Sequence, residues 1–403
     1  MKFILQIVPF FILLQLLYFP AASAQAIPET FILNGEQLLQ NKLKVERGSL
    51  AHQVAVNELI FKADKILQKK PYTITDKALT PPSGSKNDYM SLAPYWWPNP
   101  YTADGLPYIN KDGKTNPEVN SVKDQKHVVN ISRDVETLGL AYYFTGREQY
   151  AKKAADLLCI FFIDAETKMN PNLNFGQSIR GVNDGRAIGL IDTQHFTRLI
   201  DGVQLLQGSE AWTAANQKAL QNWFGQFVNW MLTSEVGKDG VKEPNNIGTF
   251  YDLQVVTYAM FSGNKPLARK YLTNTTLKRI DKQFDEEGRQ PYELKRSRAW
   301  TYSIKNLNGW SSLAKIGDKA GVDIWNYTSK DGKNLKKGFL WMLPYANGQK
   351  EWEYKEIRGV KLEGFLPLAK TALNVYKTHE LESYLNHPTT SLISVDSKNL
   401  LVH

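Results

Sequence analysis

Apolar residues recur every three or four positions along most of the chain, which is the spacing of amphipathic helices rather than of strands. The first such stretch covers residues 36–70, where Leu38, Leu39 and Leu43 begin the pattern. Further helices are predicted at 127–146, 148–164, 192–207, 209–234, 250–262, 265–286, 299–317, 332–346 and 362–377. Strand-like alternation is scarce, so the chain is predicted to be all-α.

One long segment, at roughly 71–125, lacks the helical pattern and is rich in Pro, Gly, Asn, Asp and aromatic residues. A connection of this length inside a compact domain is usually functional. We therefore interpret it as a binding segment, in which Trp96 and Trp97 are candidates for stacking against sugar rings. The alternative is that both are plain core aromatics.

The predicted helices form successive pairs, because short turns such as Phe144-Thr145-Gly146 separate them. Ten or more paired helices can close into a ring, an α/α toroid, or stack into an open α-solenoid. No self-similarity at a period of about 34 or 40 residues is visible, which counts against the standard repeat classes. No linker divides the chain, so residues 25–403 are predicted to be a single toroidal domain.

The N-terminus has the pattern of a secretory signal peptide. Lys2 precedes an apolar run that ends in Ala22-Ser23-Ala24, which predicts cleavage before Gln25 and removal of residues 1–24. A retained membrane anchor is the alternative. The single cysteine, Cys159, lies far from the position of a lipid anchor and cannot form an internal disulfide. We expect a periplasmic or secreted protein without a membrane anchor after cleavage.

The charge balance is basic. The net charge is +9 over 403 residues, and loss of residues 1–24 leaves 379 residues and a net charge of +8, because Lys2 is lost. Such a balance suits nucleic acid, a membrane surface or an acidic polymer. The charges are spread over amphipathic segments rather than gathered in a block, which argues against nucleic acid. The expected partner is an anionic polysaccharide, the expected state is a monomer, and no metal-site motif or cofactor motif is present.

Two motifs carry the candidate chemistry. Asn245 and Asn246 lie at a predicted turn, and Tyr302 lies at the start of a predicted helix, just after two arginines. At about 100° per residue, Tyr302 lies about 200° from Trp300 and therefore away from the apolar stripe of that helix. Arg298 is four residues earlier and shares the face of Tyr302. A phenol and a guanidinium facing away from the core, with amides nearby, indicate a site for an anionic sugar.

Polyuronates can be cleaved by β-elimination, in which the C5 proton leaves and the O4 glycosidic bond then breaks. The reaction needs a group that neutralises the carboxylate, a base and an acid. Amides and Arg can fill the first role, and Tyr can fill the others when an adjacent cation stabilises its phenolate. In mannuronate and glucuronate, H5 and O4 lie on the same face of the ring, so one tyrosine can take the first and protonate the second.

The segments SLAPYWWPNP, DGLPYINKDGKTNPE, NNIGTFYDLQ and ELKRSRAWTYS resemble the alginate-lyase domain family of bacterial polysaccharide lyases, which are α/α toroids. In the better-known members, an Asn-Asn-His sequence supplies the carboxylate neutraliser and a base, and an Arg precedes the catalytic Tyr by about two helical turns. The resemblance implies that Asn246, Arg296 and Tyr302 take these roles, with Asn245 in support. The predicted substrate contacts are Asn245, Arg298, Tyr251, Trp96, Trp97 and Trp300.

The chain departs from this pattern at Ile247, which stands where those enzymes have His. Either Tyr302 acts alone or another histidine assists it, with His195 preferred and His127 second. His195 is predicted near the start of a helix, where the helix dipole disfavours a protonated imidazole.

The predicted function is that of a polyuronate lyase, with mannuronate-rich alginate as the first substrate and glucuronan as the alternative. Two other functions stay open. A glycoside hydrolase of the same fold needs a carboxylate pair, for which Glu243, Asp252, Asp285, Glu286 and Glu293 are candidates. A non-catalytic glycan-binding protein would use the Asn-Asn sequence as a plain turn and Tyr302 as a structural tyrosine.

Overall fold

The computed structural model describes residues 26–387, 390 and 397–402, and this part of the chain is predominantly helical. Its helices are α1 (Gly35–Glu46), α2 (Leu50–Leu67), α3 (Asp124–Thr145), α4 (Glu148–Leu158), α5 (Phe196–Gln204), α6 (Ala214–Thr233), α7 (Glu235–Gly240), α8 (Asn246–Phe261), α9 (Lys265–Tyr271), α10 (Leu277–Gln283), α11 (Pro291–Leu294), α12 (Ala299–Ala320), α13 (Leu335–Ala346), α14 (Leu366–Tyr376), α15 (His379–Leu385) and α16 (Ser397–Val402). The predicted signal peptide, residues 1–24, lies outside the described residues. Within them, no helix has the length and apolar character needed to cross a membrane.

In the described part of the chain there are also four short strands: β1 (Met90–Leu92), β2 (Trp96–Trp97), β3 (Ile109–Asn110) and β4 (Phe175–Ser178). Strand β1 is parallel to β4, and β2 is antiparallel to β3. Three of the four strands belong to the segment predicted to be irregular. That segment is otherwise built of turns and two 3₁₀ turns, so the prediction of irregular structure near 71–125 is confirmed.

The helices form two layers. Helices α3, α5, α8 and α12 pack against one another in chain order and make the inner layer. In the outer layer, α2 and α4 pack against α3, while α6 and α9 pack against α8. The ends of the chain meet, because α16 packs on α1 and α2 and the Asn41 side chain donates to the carbonyls of Leu400 and Leu401. This closed arrangement is the predicted α/α toroid and not the open solenoid.

A buried carboxylate ties the N-terminal segment to the inner layer. Asp201 of α5 accepts hydrogen bonds from the backbone amides of Phe31, Ile32 and Leu33, at 2.5, 2.9 and 2.6 Å. Lys319 of α12 donates to the carbonyl of Thr30 in the same segment. The segment therefore links α5 to α12 across the ring.

Several predicted helices differ from the structure because backbone geometry interrupts them, and three of them serve as examples. The stretch 36–70 is two helices, since Gly48 between them adopts the left-handed conformation with φ 84°. The stretch 265–286 contains a π-helical turn at Leu272–Thr276, and the stretch 192–207 overlaps a 3₁₀ turn at Ala187–Thr193 that precedes α5. The apolar spacing is continuous through the first two interruptions, so the spacing alone did not reveal them.

Candidate active site

Tyr302 lies in the first turn of α12, at the edge of the toroid core. Its side chain is only 8 % exposed, and its hydroxyl is 2.6 Å from the hydroxyl of Tyr95. Tyr95 comes from the irregular segment, directly before β2. The two tyrosines (the tyrosine pair) therefore join the irregular segment to the inner layer through one short hydrogen bond.

Two guanidinium groups lie over the Tyr302 ring. The guanidinium carbon is 4.3 Å from the ring centroid for Arg296 and 5.8 Å for Arg298. Arg296 is held by a salt bridge of 2.8 Å to Asp112, whereas Arg298 is 3.9 Å from Glu356 and its Nε has no hydrogen-bond partner among the described residues. Helix geometry alone favoured Arg298 as the neighbour of Tyr302, but the structure places Arg296 closer.

Asp112 organises this corner of the site. Its carboxylate accepts from the Ser297 amide at 3.1 Å and from the Ser297 hydroxyl at 2.9 Å, in addition to Arg296. Burial opposes ionisation of Asp112, but these bonds outweigh burial and lower its pKa to about 2. Asp112 is therefore an anion at neutral pH and fixes the direction of the Arg296 side chain.

The Tyr302 hydroxyl is subject to two opposing influences. Burial and the hydrogen bond with Tyr95 raise the pKa of Tyr302, while the positive charge of Arg296 lowers it. A guanidinium stacked on a phenol ring stabilises the phenolate more than the phenol. Tyr302 therefore keeps its proton in the resting site. The Arg296 guanidinium is already in place to stabilise the phenolate when that proton leaves.

Asn246 is the first residue of α8, and its amide is bonded to Glu293 of α11. The backbone N–H of Asn246 donates to Glu293 Oε1 at 2.5 Å, and Nδ2 lies 3.0 Å from each carboxylate oxygen. Burial raises the pKa of Glu293 to about 7, against the opposing influence of these hydrogen bonds. Because Asn and Gln amides can be rotated by half a turn, a protonated Glu293 can donate to Oδ1 and leave the Asn246 amino group free.

Lys305 lies one turn beyond Tyr302 on α12 and adds a third cation. Burial lowers its pKa to about 8, although the carboxylates of Glu293 and Asp192 favour its charged form. Its ammonium is 5.3 Å from the Phe250 ring centroid, and no salt bridge to it is found among the described residues. A buried cation without a carboxylate in contact is costly, and such groups are frequent where an anionic ligand binds.

His195 directly precedes α5 and is half-buried. Burial, with the positive charges of Arg198 and Lys305, lowers its pKa to about 4. The expectation of a neutral imidazole therefore holds, but burial rather than the helix dipole is the main cause. Lys305 is therefore near enough to His195 to influence its protonation.

His127, the second choice, has a different environment. Its Nδ1 is 2.8 Å from the Thr73 carbonyl, and its ring lies against Tyr72 at 5.4 Å between centroids. These contacts hold the start of the irregular segment to α3. They give His127 a structural role, so the prediction of His127 as a substitute base is not supported.

Three predicted substrate contacts are corrected by the structure. Tyr251 is 1 % exposed and donates to the Met231 carbonyl at 2.7 Å, so it is a core residue. Trp300 is also 1 % exposed and packs edge-on against Trp352, which leaves no face for a sugar ring. The Asn245 side chain accepts from the Ile247 amide at 3.0 Å and caps α8, so it is a structural cap.

Trp96 and Trp97 form strand β2 and are half-buried. The Trp97 indole donates to the Lys114 carbonyl at 2.9 Å, and the Lys111 ammonium lies 5.3 Å from its ring centroid. The Arg186 guanidinium is 5.9 Å from the Trp96 ring. Both indoles thus lie beside cations in the segment that also carries Tyr95, and their role as sugar platforms stays a prediction.

Sequence reasoning missed three residues of the site: Tyr95, Asp112 and Lys305. Lys305 had a readable signal, since it follows Tyr302 by three residues and shares its helix face. Tyr95 and Asp112 had none beyond membership of the irregular segment. Within the described residues, the side chains of His, Cys, Asp and Glu form no group of three or more that could hold a metal ion.

Comparisons with known proteins show what the chain as a whole is similar to. A family model described as alginate lyase matches residues 73–352. The crystal structure of an alginate lyase from Bacteroides ovatus is 38 % identical, with a TM-score of 0.87, and the match covers 94 % of this chain and all of that one. No curated protein matches the chain.

More distant structures share the fold. A histidine-to-alanine variant of alginate lyase A1-III complexed with a tetrasaccharide is 15 % identical, with a TM-score of 0.58 and coverage of 94 % of this chain and 97 % of that one. Alginate lyase A1-III from Sphingomonas species A1 is 16 % identical, with a TM-score of 0.54 and coverage of 91 % and 94 %.

Proposed function

The chain belongs to the alginate lyase family and is a polysaccharide lyase, and from this premise we propose that it cleaves mannuronate-rich alginate by β-elimination around Tyr302. The product carries a 4,5-unsaturated uronate at its new end. Glucuronan is the alternative substrate, because glucuronate differs from mannuronate only at C2. Export to the periplasm or the medium, by way of the signal peptide predicted at residues 1–24, belongs to the same proposal.

One observation carries the proposal: a buried phenol, Tyr302, has a second hydroxyl at 2.6 Å and a guanidinium 4.3 Å from its ring centroid. A purely structural tyrosine needs one hydrogen-bond partner and no cation. Tyr95 can donate to a Tyr302 phenolate, and Arg296 neutralises its charge. Of the two contacts, the positive charge of Arg296 is the one that lowers the pKa of Tyr302 and so stabilises the deprotonated form that the base must reach.

In the proposed chemical step, Tyr302 acts first as the base and then as the acid. Tyr302 first loses its resting proton to the solvent, and its phenolate then takes the C5 proton while the electron pair of the C–H bond moves into the C5–carboxylate system. The C4–O4 bond breaks as the C4=C5 double bond forms, and the Tyr302 hydroxyl returns its proton to O4. The phenolate is restored, so each turnover consumes no external acid or base.

The substrate carboxylate gains charge during the step and needs donors that are fixed in advance. Asn246, Lys305 and Arg298 are proposed as these donors. A protonated Glu293 serves them in two ways: it removes a negative charge next to the incoming carboxylate, and it lets the Asn246 amino group turn towards the substrate. The pKa of about 7 makes that proton available at neutral pH.

His195 is proposed as a neutral donor on the Lys305 side. A histidine with a pKa of about 4 does not hold a proton at neutral pH, so it cannot replace Tyr302 as the acid. Its N–H can still donate to a substrate oxygen. In this way, the site functions with Ile247 at the position of the missing histidine.

The hydrolase alternative loses two of its five candidate carboxylates, because ion pairs engage them. Asp252 is bound by Arg279 and Tyr271, and Asp285 is bound by Arg289. Neither is free to act as a nucleophile or general base. Family membership points in the same direction.

The test is a panel of purified polyuronates: polymannuronate, polyguluronate, glucuronan and polygalacturonate. Elimination creates a conjugated double bond, so ultraviolet absorbance should rise with polymannuronate first. Reducing ends without new absorbance would indicate hydrolysis and contradict the proposal. Faster cleavage of glucuronan than of polymannuronate would keep the mechanism and change the substrate.

A further inference from the structure

A cavity opens beside the N-terminus of α12. It has a volume of about 370 Å³, within the range of about 300–1,000 Å³ that is typical of ligand pockets. We call it the C-terminal cleft; its lining is Arg298, Trp300, Thr301, Ile304, Arg358, Gly359, Lys361 and Gly364. Its size therefore suits a sugar residue rather than a single ion.

The cleft combines cations with apolar walls. Arg358 and Lys361 are exposed at its rim, and within the described residues neither forms a salt bridge. Ile304, which is half-buried, contributes apolar surface to the lining. A uronate residue presents the matching features, since its ring has an apolar face and its C6 group is a carboxylate.

Backbone hydrogen bonds build the cleft in advance. The Ile357 amide donates to the Ser297 carbonyl at 3.0 Å, and the Ala299 amide donates to the Lys355 carbonyl at 2.9 Å. The Trp300 indole donates to the Lys361 carbonyl at 2.9 Å. Gly359 adopts φ 75°, a left-handed turn that favours glycine, and this turn sets Arg358 and Lys361 on the rim. The cations are thus carried by a fixed loop.

Arg298 connects the cleft with the catalytic tyrosine. Its guanidinium carbon is 5.8 Å from the Tyr302 ring centroid, and the same side chain lines the cleft. A chain bound at Tyr302 can therefore continue past Arg298 into the cleft. The match to the alginate lyase family model ends at residue 352, before Arg358 and Lys361.

We propose that the C-terminal cleft is an additional subsite, in which Arg358 and Lys361 bind the carboxylate of a uronate residue further along the chain being cleaved. The proposal rests on the proposed function for the identity of the ligand. It makes the cleft a determinant of substrate length, because only oligomers long enough to reach past Arg298 can use it.

The test measures binding of a series of mannuronate oligomers, from the disaccharide upward, by calorimetry. The Tyr302→Phe protein prevents turnover, and the comparison is between that protein and the same protein carrying Arg358→Ala and Lys361→Ala. Exposed ion pairs are individually weak, so Kd for the longer oligomers should rise roughly threefold to tenfold. Kd for the shortest oligomer that binds should not change.

A matched control removes two exposed lysines elsewhere, Lys218→Ala and Lys265→Ala, and should leave Kd unchanged at every length. Carboxyl-reduced oligomers should show no difference between the proteins. The subsite is refuted if the cleft variant binds all lengths as its parent does, if it loses affinity equally at all lengths, or if the control variant weakens binding as much. Absence of unsaturated product from the wild-type enzyme would refute the proposed function separately, since this binding assay needs no turnover.

Discussion

Helix α8 carries two polar clusters in its first half that use similar residues for different purposes. Asp252 is fully buried and receives Arg279 Nε and Nη2 at 2.8 Å each, with the Tyr271 hydroxyl at 2.9 Å. The remaining Arg279 donors reach the carbonyls of Glu243 and Val241. In this cluster, each charge has its opposite in contact and the polar groups are bonded within the protein.

In the second cluster, around Asn246, the charged groups are not in contact with opposite charges in the described part of the chain. Glu293 is bonded to an amide rather than to a cation, and Lys305 has no carboxylate in contact among the described residues. Burial shifts the pKa of both groups towards neutrality, to about 7 and about 8. The two clusters contain similar residue types, so residue type alone does not tell a structural cluster from a functional one. They differ in whether each charged group has an oppositely charged partner in contact.

The largest expected effect is on stability, from breaking the complete cluster. Arg279→Ala leaves Asp252 buried without its cation, which should lower the free energy of unfolding by about 3–5 kcal/mol. Urea denaturation followed by circular dichroism measures this change. Arg296→Ala, beside Tyr302, should cost stability less than about 1 kcal/mol because its partner Asp112 is partly exposed, yet it should slow turnover. If Arg279→Ala and Arg296→Ala lowered the free energy of unfolding equally, the difference between a structural and a functional arginine would be lost.

Removing one hydroxyl from the tyrosine pair and one from the Asp252 cluster should separate an effect on catalysis from an effect on stability. Tyr302→Phe should lower kcat by roughly a hundredfold or more, the scale of a lost acid or base, with little change in unfolding. Tyr271→Phe should keep kcat and lower the free energy of unfolding by about 1–3 kcal/mol, since Asp252 loses a hydrogen bond. A folded Tyr302→Phe enzyme with normal turnover would move the chemistry to another residue.

His195→Ala should lower kcat by roughly tenfold to a thousandfold, the range for one polar stabiliser. The pKa of about 4 means that His195 is neutral above about pH 4 and becomes charged below it. An acidic limb of the pH–rate profile near pH 4 should therefore disappear in the variant. Unchanged turnover and an unchanged profile would leave His195 as a buried structural histidine.

Glu293→Gln should produce the smallest effect, a change in turnover within roughly tenfold. Glu293 loses its proton as the pH rises through about 7, so wild-type activity should decline above pH 7 for this reason, and the permanently neutral Gln should remove that decline. Stability changes with pH in the same direction as activity. Because the pKa of Glu293 is about 7 in the folded protein and its ordinary value is 4.5, the wild-type protein loses stability as the pH rises from about 4.5 to 7. If the two pH–rate profiles coincide, the proton on Glu293 has no part in catalysis.

Helical spacing predicted most of the fold, because amphipathic helices packed in two layers must repeat apolar residues at that spacing. It failed where the backbone departs from the α-helix without a change in pattern, as at Leu272–Thr276. It also placed the start of α8 at residue 250, whereas Asn245 caps a helix that begins at Asn246. An Asn-Asn sequence fits a turn and a helix cap equally well.

The site could be predicted only in part. Arg296 and Tyr302 were accessible because they lie on neighbouring turns of one segment. Tyr251 was misassigned because tyrosines of the core and of the site have the same local pattern. Asp112 could not be paired with Arg296, since no spacing rule connects an irregular segment with a helix so distant in sequence.

The link between the irregular segment and α12 has a consequence for the order of folding. Tyr95 and Tyr302 are 207 residues apart in sequence, and Asp112 and Arg296 are 184 residues apart. Contacts that close such long loops form late, after local helices and hairpins have formed. During folding we therefore expect Tyr302 to have no hydroxyl neighbour, and Arg296 to have no carboxylate anchor, until these two contacts close. Until then the proposed site is incomplete, even where the surrounding helices have already formed.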